Sequence, residues 1–509
     1  MKRLTLILLL VLSALQAGAR VYVSTDKGSY VAGDRIWCSV FCEEGPAVAY
    51  LELVSAGEVA ARTRIDIRSG RGGGSLRLPL TIPTGNYRLV AYTDPQKASE
   101  AAGSGPLIAV YNTLTTDRVK DGVEVVEDLG PASPAMQTGY GLSVETVPDG
   151  IRVDNLSGAP VSLSLSVHRD DSLEPVSRSS IAGFEPGAPG PAAWGERLTA
   201  TAVGLDPSAD GVTALLSVPG SPTDCYVAER SEDGSFSFDT ENLFGTVDVV
   251  CQLDGLPEGA QCHLELQNPF SAPLVEGLPK LRICRSQSGD LVRRGAAMLT
   301  GLSSDTLAVS LPMRREHFFL THECVSYVLD DYNRFPTMAE VFVEITPLVK
   351  MRMRKGKPRI YGLMRASVLD GIPWWGDVVV MVDGVPVPDH SLIMNYDPAI
   401  VKSIDVYPYR YRLGDKTFDG VINLVTFKGN MPGLLFDDNV RIYSFDGCSL
   451  PQEHRGQETL YWHPLIDLQA GGSLPVRVDG LQPGVRYTIS AEGVTGAGRA
   501  VYFRKTFVR

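Results

Sequence analysis

Hydrophobic and polar residues alternate along the first part of the chain, beyond an apolar leader. Runs such as VYVST at 21–25, DRIWCSVFC at 34–42 and YRLVAYT at 87–93 place an apolar residue at every second position. Clusters of turn residues interrupt this alternation roughly every 8–12 residues, a spacing typical of short antiparallel strands. Because a sandwich buries one face of each strand, we predict an antiparallel β-sandwich of about six or seven strands over residues 20–115.

The same alternation returns further along the chain. We predict a short β domain over residues 138–182, an Ig-like β-sandwich over 198–280 and a C-terminal β-sandwich over 433–509. A stretch rich in Pro and Gly at 183–197 cannot continue a ladder, so it is predicted to be a linker. A turn followed by a strand that starts near a tyrosine occurs at 82–91 and again at 481–491, which indicates repeated sandwich architecture.

One segment has helical rather than strand periodicity. Thr337 and Glu340 have the spacing of a capping box, and Pro347 would end the run. The apolar residues that would share one helical face are Met338, Val341, Phe342 and Ile345. We therefore predict a short amphipathic helix within a linker segment at 281–348 that also contains strands.

The N-terminus has the composition of an export signal. A basic start precedes a nearly continuous apolar run at 4–12, which is too short to cross a bilayer. Small residues at 17–19 supply the pattern that signal peptidase requires. We predict that residues 1–19 are a signal peptide cleaved between Ala19 and Arg20. The exported chain would then lie in the periplasm or be associated with the outer membrane, with no transmembrane segment after signal removal.

Composition and charge narrow the classes of partner. The 51 Gly and 34 Pro favour many short strands over long helices. With 47 basic and 59 acidic residues the net charge is -12, which argues against nucleic acid as a partner, because phosphate binding requires a basic surface. One dense basic run, at 350–359, is interpreted either as a solvated strand at a domain start or as a contact for lipid headgroups or an acidic partner.

Motifs for catalysis and metal binding are missing from the sequence. No G-x-S-x-G elbow, P-loop or H-E-x-x-H occurs, and His317 and His322 have an odd spacing that would point them to opposite faces of a strand. We expect no enzymatic activity, no catalytic residue, no metal and no cofactor. The eight cysteines contain no C-x-x-C pair, so free buried thiols are expected, with Cys251 and Cys262 as the alternative pair for a disulfide across a hairpin.

An ordered set of motifs occupies residues 361–430. A buried strand ends in Asp383-Gly384 with Pro386 two residues on, and a later run has the pattern G-x-I-N-x-x-T. The residues that carry the pattern are Asp383, Gly384, Pro386, Gly414, Gly420, Asn423 and Thr426. This order resembles the plug domain of TonB-dependent outer-membrane receptors. The resemblance implies a small α+β plug-like domain over 349–432, and the remaining chain is expected to be too short for the barrel of about 22 strands that follows the plug in that family.

A second resemblance lies at the start of the first predicted sandwich. Its pattern is T-D-K-x-x-Y-x-x-G-D, carried by Asp26, Lys27, Tyr30, Gly33 and Asp34. It resembles the macroglobulin-like domain of α2-macroglobulins. That family's thioester needs Cys and Gln within a C-G-E-Q motif, which is missing from this sequence. A covalent protease trap is therefore not expected.

With both resemblances in one chain, the sequence is similar to a group of exported proteins of Gram-negative anaerobes. The implied fold is mainly β, a string of Ig-like and macroglobulin-like sandwiches with one plug-like domain. A plug-like domain without its barrel leads us to expect a non-catalytic periplasmic or outer-membrane-associated scaffold whose plug-like domain docks to an outer-membrane or periplasmic protein. Two alternatives stay open: a glycan- or peptide-binding module with Trp375 and Trp462 on an aromatic face, and a macroglobulin-like protease inhibitor without a thioester.

Overall fold

Strands dominate the computed structural model of the chain. It describes residues 21–55, 57–115, 122–129, 137–175, 178–220, 224–257, 259–304, 324–364, 374–413 and 416–509. Helices are few and mostly short, so the predicted mainly-β class is confirmed. The predicted signal peptide with its cleavage site at Ala19 and Arg20, and Gly414 of the plug-like motif, lie outside the described residues.

The first sandwich contains the alternating strands predicted near the N-terminus. Its strands are β1 (Val21–Thr25), β2 (Ser29–Val31), β3 (Arg35–Cys42), β4 (Val48–Ser55), β5 (Glu58–Asp66), β6 (Arg71–Arg77), β7 (Gly85–Tyr92), β8 (Leu107–Tyr111) and the distant β32 (Cys448–Ser449). A sheet of order β1-β3-β6 covers a six-stranded sheet of order β2-β8-β7-β4-β5-β32. Apolar residues from both sheets form one core between them. The short helix α1 (Ala98–Ala101) lies between β7 and β8.

The second sandwich combines two segments that lie far apart in sequence. Its strands are β10 (Gln137–Tyr140), β11 (Leu142–Val147), β12 (Gly150–Asn155), β13 (Val161–Arg169), β33 (Thr459–Leu468), β34 (Ser473–Arg477), β35 (Arg486–Thr495) and β36 (Ala500–Val508). The sheets have the orders β10-β36-β35-β13-β33 and β11-β12-β34. Residues 138–182 and 433–509 were predicted to form separate domains, whereas the structure places β13 between β33 and β35. The physical reason is burial: β13 is covered on both faces, so a few short strands of its own segment could not shield it.

The third sandwich also takes a strand from the C-terminal segment. Its strands are β14 (Arg197–Val203), β15 (Thr213–Val218), β16 (Asp224–Glu229), β17 (Ser235–Asp239), β18 (Thr246–Asp254), β19 (His263–Leu266) and β31 (Arg441–Asp446). The sheets have the orders β17-β14-β19 and β16-β15-β18-β31. A small parallel pair, β9 (Val123–Val125) with β20 (Leu281–Ile283), precedes the long helix α2 (Ser288–Ser304), which the sequence analysis did not predict.

The segment that was predicted to be plug-like forms an α+β unit, which we call the plug-like unit after that expectation. Its elements are β21 (Val325–Val328), α3 (Met338–Glu344), β22 (Val349–Arg354), β23 (Lys357–Leu363), β24 (Trp375–Asp377), β25 (Val379–Val382), β26 (Val385–Pro386), α4 (His390–Met394), β27 (Val401–Tyr407), β28 (Tyr411–Leu413), β29 (Lys416–Phe418) and β30 (Val421–Thr426). The main sheet has the order β21-β27-β30-β25-β26, with smaller sheets β22-β23-β24 and β28-β29. β21 and α3 were assigned to the linker at 281–348, but both pack into this core.

Candidate functional site

The Asp383-Gly384 turn is the centre of the plug-like motif. Asp383 is buried and has a φ of 48°, a left-handed conformation that Asp tolerates better than most residues. Its carboxylate accepts hydrogen bonds from the Thr426 amide at 2.7 Å, the Thr426 hydroxyl at 2.6 Å and the Met431 amide at 2.8 Å. The Gly384 amide donates to Asn423 Oδ1 at 3.0 Å. The structure therefore brings Asp383, Gly384, Asn423 and Thr426 together, at the end of the parallel pair β25 and β30.

The other described motif residues also serve the fold. A Cβ on Gly420 would approach the carbonyl oxygen of Tyr407 to 3.0 Å, so a larger residue there would be crowded. Pro386 lies in the edge strand β26, the position that suits a residue without an amide proton. The motif that the sequence analysis proposed as a site is thus largely internal, and recognition of a partner would have to use the surface of this unit.

One edge of the plug-like sheet is held against the third sandwich. The Gly220 amide donates to the carbonyl oxygen of Asp383 at 3.1 Å, and Gln252 Nε2 donates to the carbonyl oxygen of Pro386 at 3.2 Å. Val250 of β18 belongs to the same apolar core as the plug-like sheet. These contacts fix the orientation of the plug-like unit on the third sandwich.

The opposite edge is formed by β21 and is open along the part of the chain that the structure describes. β21 pairs with β27 on one side only. Tyr327 points into the core, whereas Val325 and Val328 are 40% and 36% exposed. The strand, with the sequence VSYV, contains neither a charged residue nor a proline. Natural edge strands are normally protected by such residues, because an unprotected edge can pair with another chain.

A buried ionic cluster, which was not predicted from the sequence, joins the first two sandwiches to α2. Arg294 of α2 is 1% exposed, and its guanidinium makes a bidentate pair with Asp171, with both distances at 2.7 Å. It also donates to the Ser29 hydroxyl at 2.8 Å and to Glu174 Oε1 at 3.1 Å. A buried arginine interrupts the apolar stripe of a helix, so hydrophobic periodicity could not reveal this site. The available signal was the Asp-Asp pair at 170–171.

Burial and charge shift the pKa values of two groups in this cluster. Burial lowers the pKa of His168 to about 3, although the nearby charge of Glu174 opposes this shift. The two side chains are 3.9 Å apart at Nε2 and Oε2. Burial alone would raise the pKa of Glu174, but the charges of His168 and Arg294 bring it down to about 2. At neutral pH the cluster therefore contains a neutral imidazole and an ionised carboxylate.

The residues of the macroglobulin-like run also contact one another. Asp26 Oδ1 accepts hydrogen bonds from the Tyr30 hydroxyl at 2.6 Å and from the Trp37 amide at 3.1 Å. Lys27 Nζ lies 3.5 Å from Asp26 and 3.7 Å from Asp34. Gly33 has a φ of 88° in the turn before β3. This run therefore builds the start of the first sandwich and, through Asp26 and the Thr459 hydroxyl at 2.5 Å, its contact with the second.

Several other expectations concern single residues. All eight cysteines, including Cys251 and Cys262, carry free thiols, so the alternative disulfide is not formed. Trp462 is 1% exposed and cannot offer its ring to a glycan. Among the described residues, no group of three His, Cys, Asp or Glu side chains could hold a metal ion. His317 and His322 lie outside those residues. Nor does the described part of the chain contain a helix that is long and apolar enough to cross a membrane.

Comparison with known proteins gives matches only among solved structures. No family model and no curated protein matches the chain. An Escherichia coli α2-macroglobulin activated by porcine elastase aligns at 10% identity over 96% of this chain and 43% of its own, with a TM-score of 0.23. A Salmonella α2-macroglobulin reacted with methylamine aligns at 9% identity over 96% and 23%, with a TM-score of 0.14.

A point mutant of the Salmonella protein gives a similar result, at 11% identity over 96% of this chain and 39% of its own, with a TM-score of 0.22. The chain therefore spans less than half the length of each of these proteins. All three matches are to α2-macroglobulins, the family that the T-D-K run resembles. At such low identities and TM-scores they carry no argument about activity, and the mainly-β architecture rests on the strands described above.

Proposed function

We propose that this chain is a non-catalytic scaffold protein of the Gram-negative envelope, working in the periplasm or at the outer membrane. In this proposal the plug-like unit docks to an outer-membrane or periplasmic protein. The observation that carries it is the contrast between the two edges of the plug-like sheet. One edge is fixed to the third sandwich, and the other is β21, which among the described strands has a neighbour on one side only.

The attachment of the plug-like unit favours a presenting role. The chain enters the unit after α2 and leaves it into β31, which pairs with β18 of the third sandwich. The hydrogen bonds of Gly220 and Gln252 hold the β26 edge against that same sandwich. The unit is attached through the strand that follows it and along its β26 edge, so its opposite edge has a fixed orientation. Such a fixed orientation lowers the entropic cost of binding a partner.

The chemistry of β21 supports strand addition as the mode of docking. An extended segment of a partner can pair with an open edge, since main-chain hydrogen bonds supply affinity and alternate side chains supply specificity. Val325 and Val328 would bury apolar surface on either side of the added strand. The partner contact would then not need the motif residues, which are occupied inside the unit.

Crosslinking in fractionated envelopes tests this proposal. We expect the wild-type chain to crosslink to an outer-membrane or periplasmic protein, and the double variant Val325→Lys and Val328→Lys to lose that product, because two charges disfavour an added strand. Val343→Lys is the matched control, since Val343 is 74% exposed on α3 rather than on the β21 edge. An unchanged product with the β21 variant, or a monomeric pool with the wild type, would contradict docking through this edge.

The two alternatives receive less support. The glycan-binding hypothesis relied on Trp375 and Trp462, and the second of these is enclosed in the protein. The inhibitor hypothesis, which needs no thioester, relied on the T-D-K run, and Asp26, Lys27 and Tyr30 of that run are buried within the first sandwich. Binding to a glycan array that Trp375→Ala abolishes would revive the first, and formation of a complex with a protease would revive the second.

A further inference from the structure

The hairpin formed by β22 and β23 has an unusual outer face. Residues paired across an antiparallel ladder project to the same side, and residues two apart along a strand share that side. The register pairs Lys350 with Tyr361, Arg352 with Arg359 and Arg354 with Lys357. One face of the hairpin therefore carries Lys350, Arg352, Arg354, Lys357 and Arg359, and Lys355 lies in the turn. We call this surface the basic face.

The other side of the hairpin packs on the core of the plug-like unit. Val349 and Ile360 are buried there, and the Ile360 amide donates to His390 Nδ1 of α4 at 2.9 Å. Because the opposite side is anchored in this way, the basic face is held toward the outside. Arg352, Arg354, Lys355 and Lys357 are all exposed.

The basic face repels itself. Arg352 lies directly opposite Arg359, and Arg354 directly opposite Lys357, and like charges in such cross-strand positions destabilise a sheet. Within the described chain, none of the basic side chains at 350–359 lies within ion-pairing distance of a carboxylate. A hairpin that only needed to be soluble would gain from an acidic residue at any of these positions. The arrangement is therefore best explained by an anionic partner that relieves the repulsion.

The base of this face is aromatic. The register of β23 with β24 places Leu363 beside Trp375 and Tyr361 beside Asp377, on the same side as the cations. Lys350 Nζ lies 5.4 Å from the centre of the Trp375 ring. The sheet thus runs from a cationic tip to a base with half-buried Tyr361 and Trp375. Lysine and arginine beside tryptophan and tyrosine are the residues that anchor proteins at lipid headgroups.

We propose that the basic face binds anionic phospholipid headgroups. Several separate cations spread along two paired strands match a surface of many phosphates better than they match one small anion. The whole chain has a net charge of -12, so most of its surface is repelled by an anionic membrane and the basic face sets the orientation of contact. This goes beyond the proposed scaffold function, because it uses a different surface from β21 and a different class of ligand.

Vesicle co-sedimentation tests the proposal with the chain at 20–509. We expect binding to vesicles of phosphatidylglycerol and phosphatidylcholine that weakens as salt is added, and little binding to phosphatidylcholine alone. The double variant Arg352→Glu and Arg354→Glu should lose roughly tenfold or more in affinity for the anionic vesicles. The control is Lys402→Glu with Lys428→Glu, two exposed lysines of the same unit off the basic face, which changes the net charge equally.

Loss of vesicle binding can be distinguished from unfolding of the chain and from loss of docking through β21. The Arg352 and Arg354 variant should melt no lower than the wild type, because each substitution turns a like-charge pair into an opposite-charge pair. The β21 variant should bind vesicles normally. Equal vesicle binding by the hairpin variant and its control would overturn the proposal, as would no preference for anionic vesicles. An acidic protein that binds the wild type, but not the hairpin variant, in the absence of vesicle binding would replace lipid as the partner.

Discussion

At the scale of single residues, this protein uses buried charges to join distant parts of the chain. Asp383 ties the end of β25 to Thr426 and Met431, and Arg294 ties α2 to Asp171. Buried charges are tolerated only when they are paired or hydrogen-bonded. Removing one partner leaves the remaining groups buried and unpaired, with the full cost of their desolvation. Substitutions at these positions should therefore have large effects.

Asp383→Ala should destabilise the plug-like unit by about 3 kcal/mol, because it leaves two backbone amides and one hydroxyl without an acceptor. Hydrogen exchange at the amides of Thr426 and Met431 measures this locally. Asp389→Ala is the control: Asp389 caps α4 through the Ser391 amide at an exposed position, so about 1 kcal/mol is expected. Equal exchange rates in the two variants would contradict a central role for Asp383.

Arg294→Met should destabilise the contact of α2 with the first two sandwiches by about 3–5 kcal/mol, since Asp171 and Glu174 would remain buried without this counter-charge. Thermal unfolding measures the effect. Arg293→Met offers a comparison on the same helix, because the Arg293 side chain is more exposed and its ion pairs are partly screened. A similar loss in melting temperature for both variants would show that burial of Arg294 is unimportant.

Stability should fall in acid because of the same cluster. The folded protein holds the pKa of His168 at about 3 and that of Glu174 at about 2, below their values of 6.5 and 4.5 in an unfolded chain. The unfolded state thus takes up protons first, and stability is lost as the pH falls from 6.5 toward 3 for His168 and from 4.5 toward 2 for Glu174. Melting temperatures across this range should show the decline, and His168→Gln should reduce its upper part. A flat profile between these limits would refute the assignment.

At the scale of elements, the sequence predicted those features whose hydrogen bonds are formed within a single element or its adjoining turn. The capping box of α3 forms as predicted, with Thr337 and Glu340 each accepting the other's amide hydrogen bond, and the predicted face of Met338, Val341, Phe342 and Ile345 is buried. The strands starting near Tyr87 and Tyr487 also form, and both phenols bond back to the preceding turn, at Pro83 and Gln482. By contrast, α2 was missed because Arg294 occupies its buried face.

Thr337→Ala should weaken the first turn of α3 by about 1 kcal/mol, whereas Thr337→Ser should be nearly neutral, because serine keeps the hydroxyl that accepts from the Glu340 amide. Hydrogen exchange in α3 distinguishes the two variants. If serine proved as harmful as alanine, the hydroxyl would not be the stabilising group.

At the scale of the whole molecule, pairing between distant strands could not be read from the sequence. Periodicity reports which face of a strand is buried, but it does not identify the neighbouring strand. The alternation in β13 and β35 was visible, yet only the structure shows that they are adjacent. The same holds for β31 and β32, which follow the plug-like unit in the chain. β31 pairs with β18 of the third sandwich, and β32 pairs with β5 of the first.

A chain that ends at residue 432 should therefore fail to fold properly, although all of its own predicted domains would be present up to that point. It would lose β31, β32 and four strands of the second sandwich, including both neighbours of β13. Solubility and limited proteolysis of this truncation, beside the intact chain, measure the effect. A soluble and protease-resistant product covering residues 20–180 would show that the early strands fold without their late partners.

The pairing of strands that are distant in sequence also determines when the second sandwich can fold. The Ser24 hydroxyl of β1 donates to the Glu492 carboxylate of β35, 468 positions later, so β1 contacts a strand that is synthesised much later than itself. Contacts of such long sequence separation form slowly. β13 has no neighbouring strands until β33 and β35 have been synthesised, so the second sandwich cannot complete its fold before then. We therefore expect a long interval during synthesis in which the second sandwich remains unfolded.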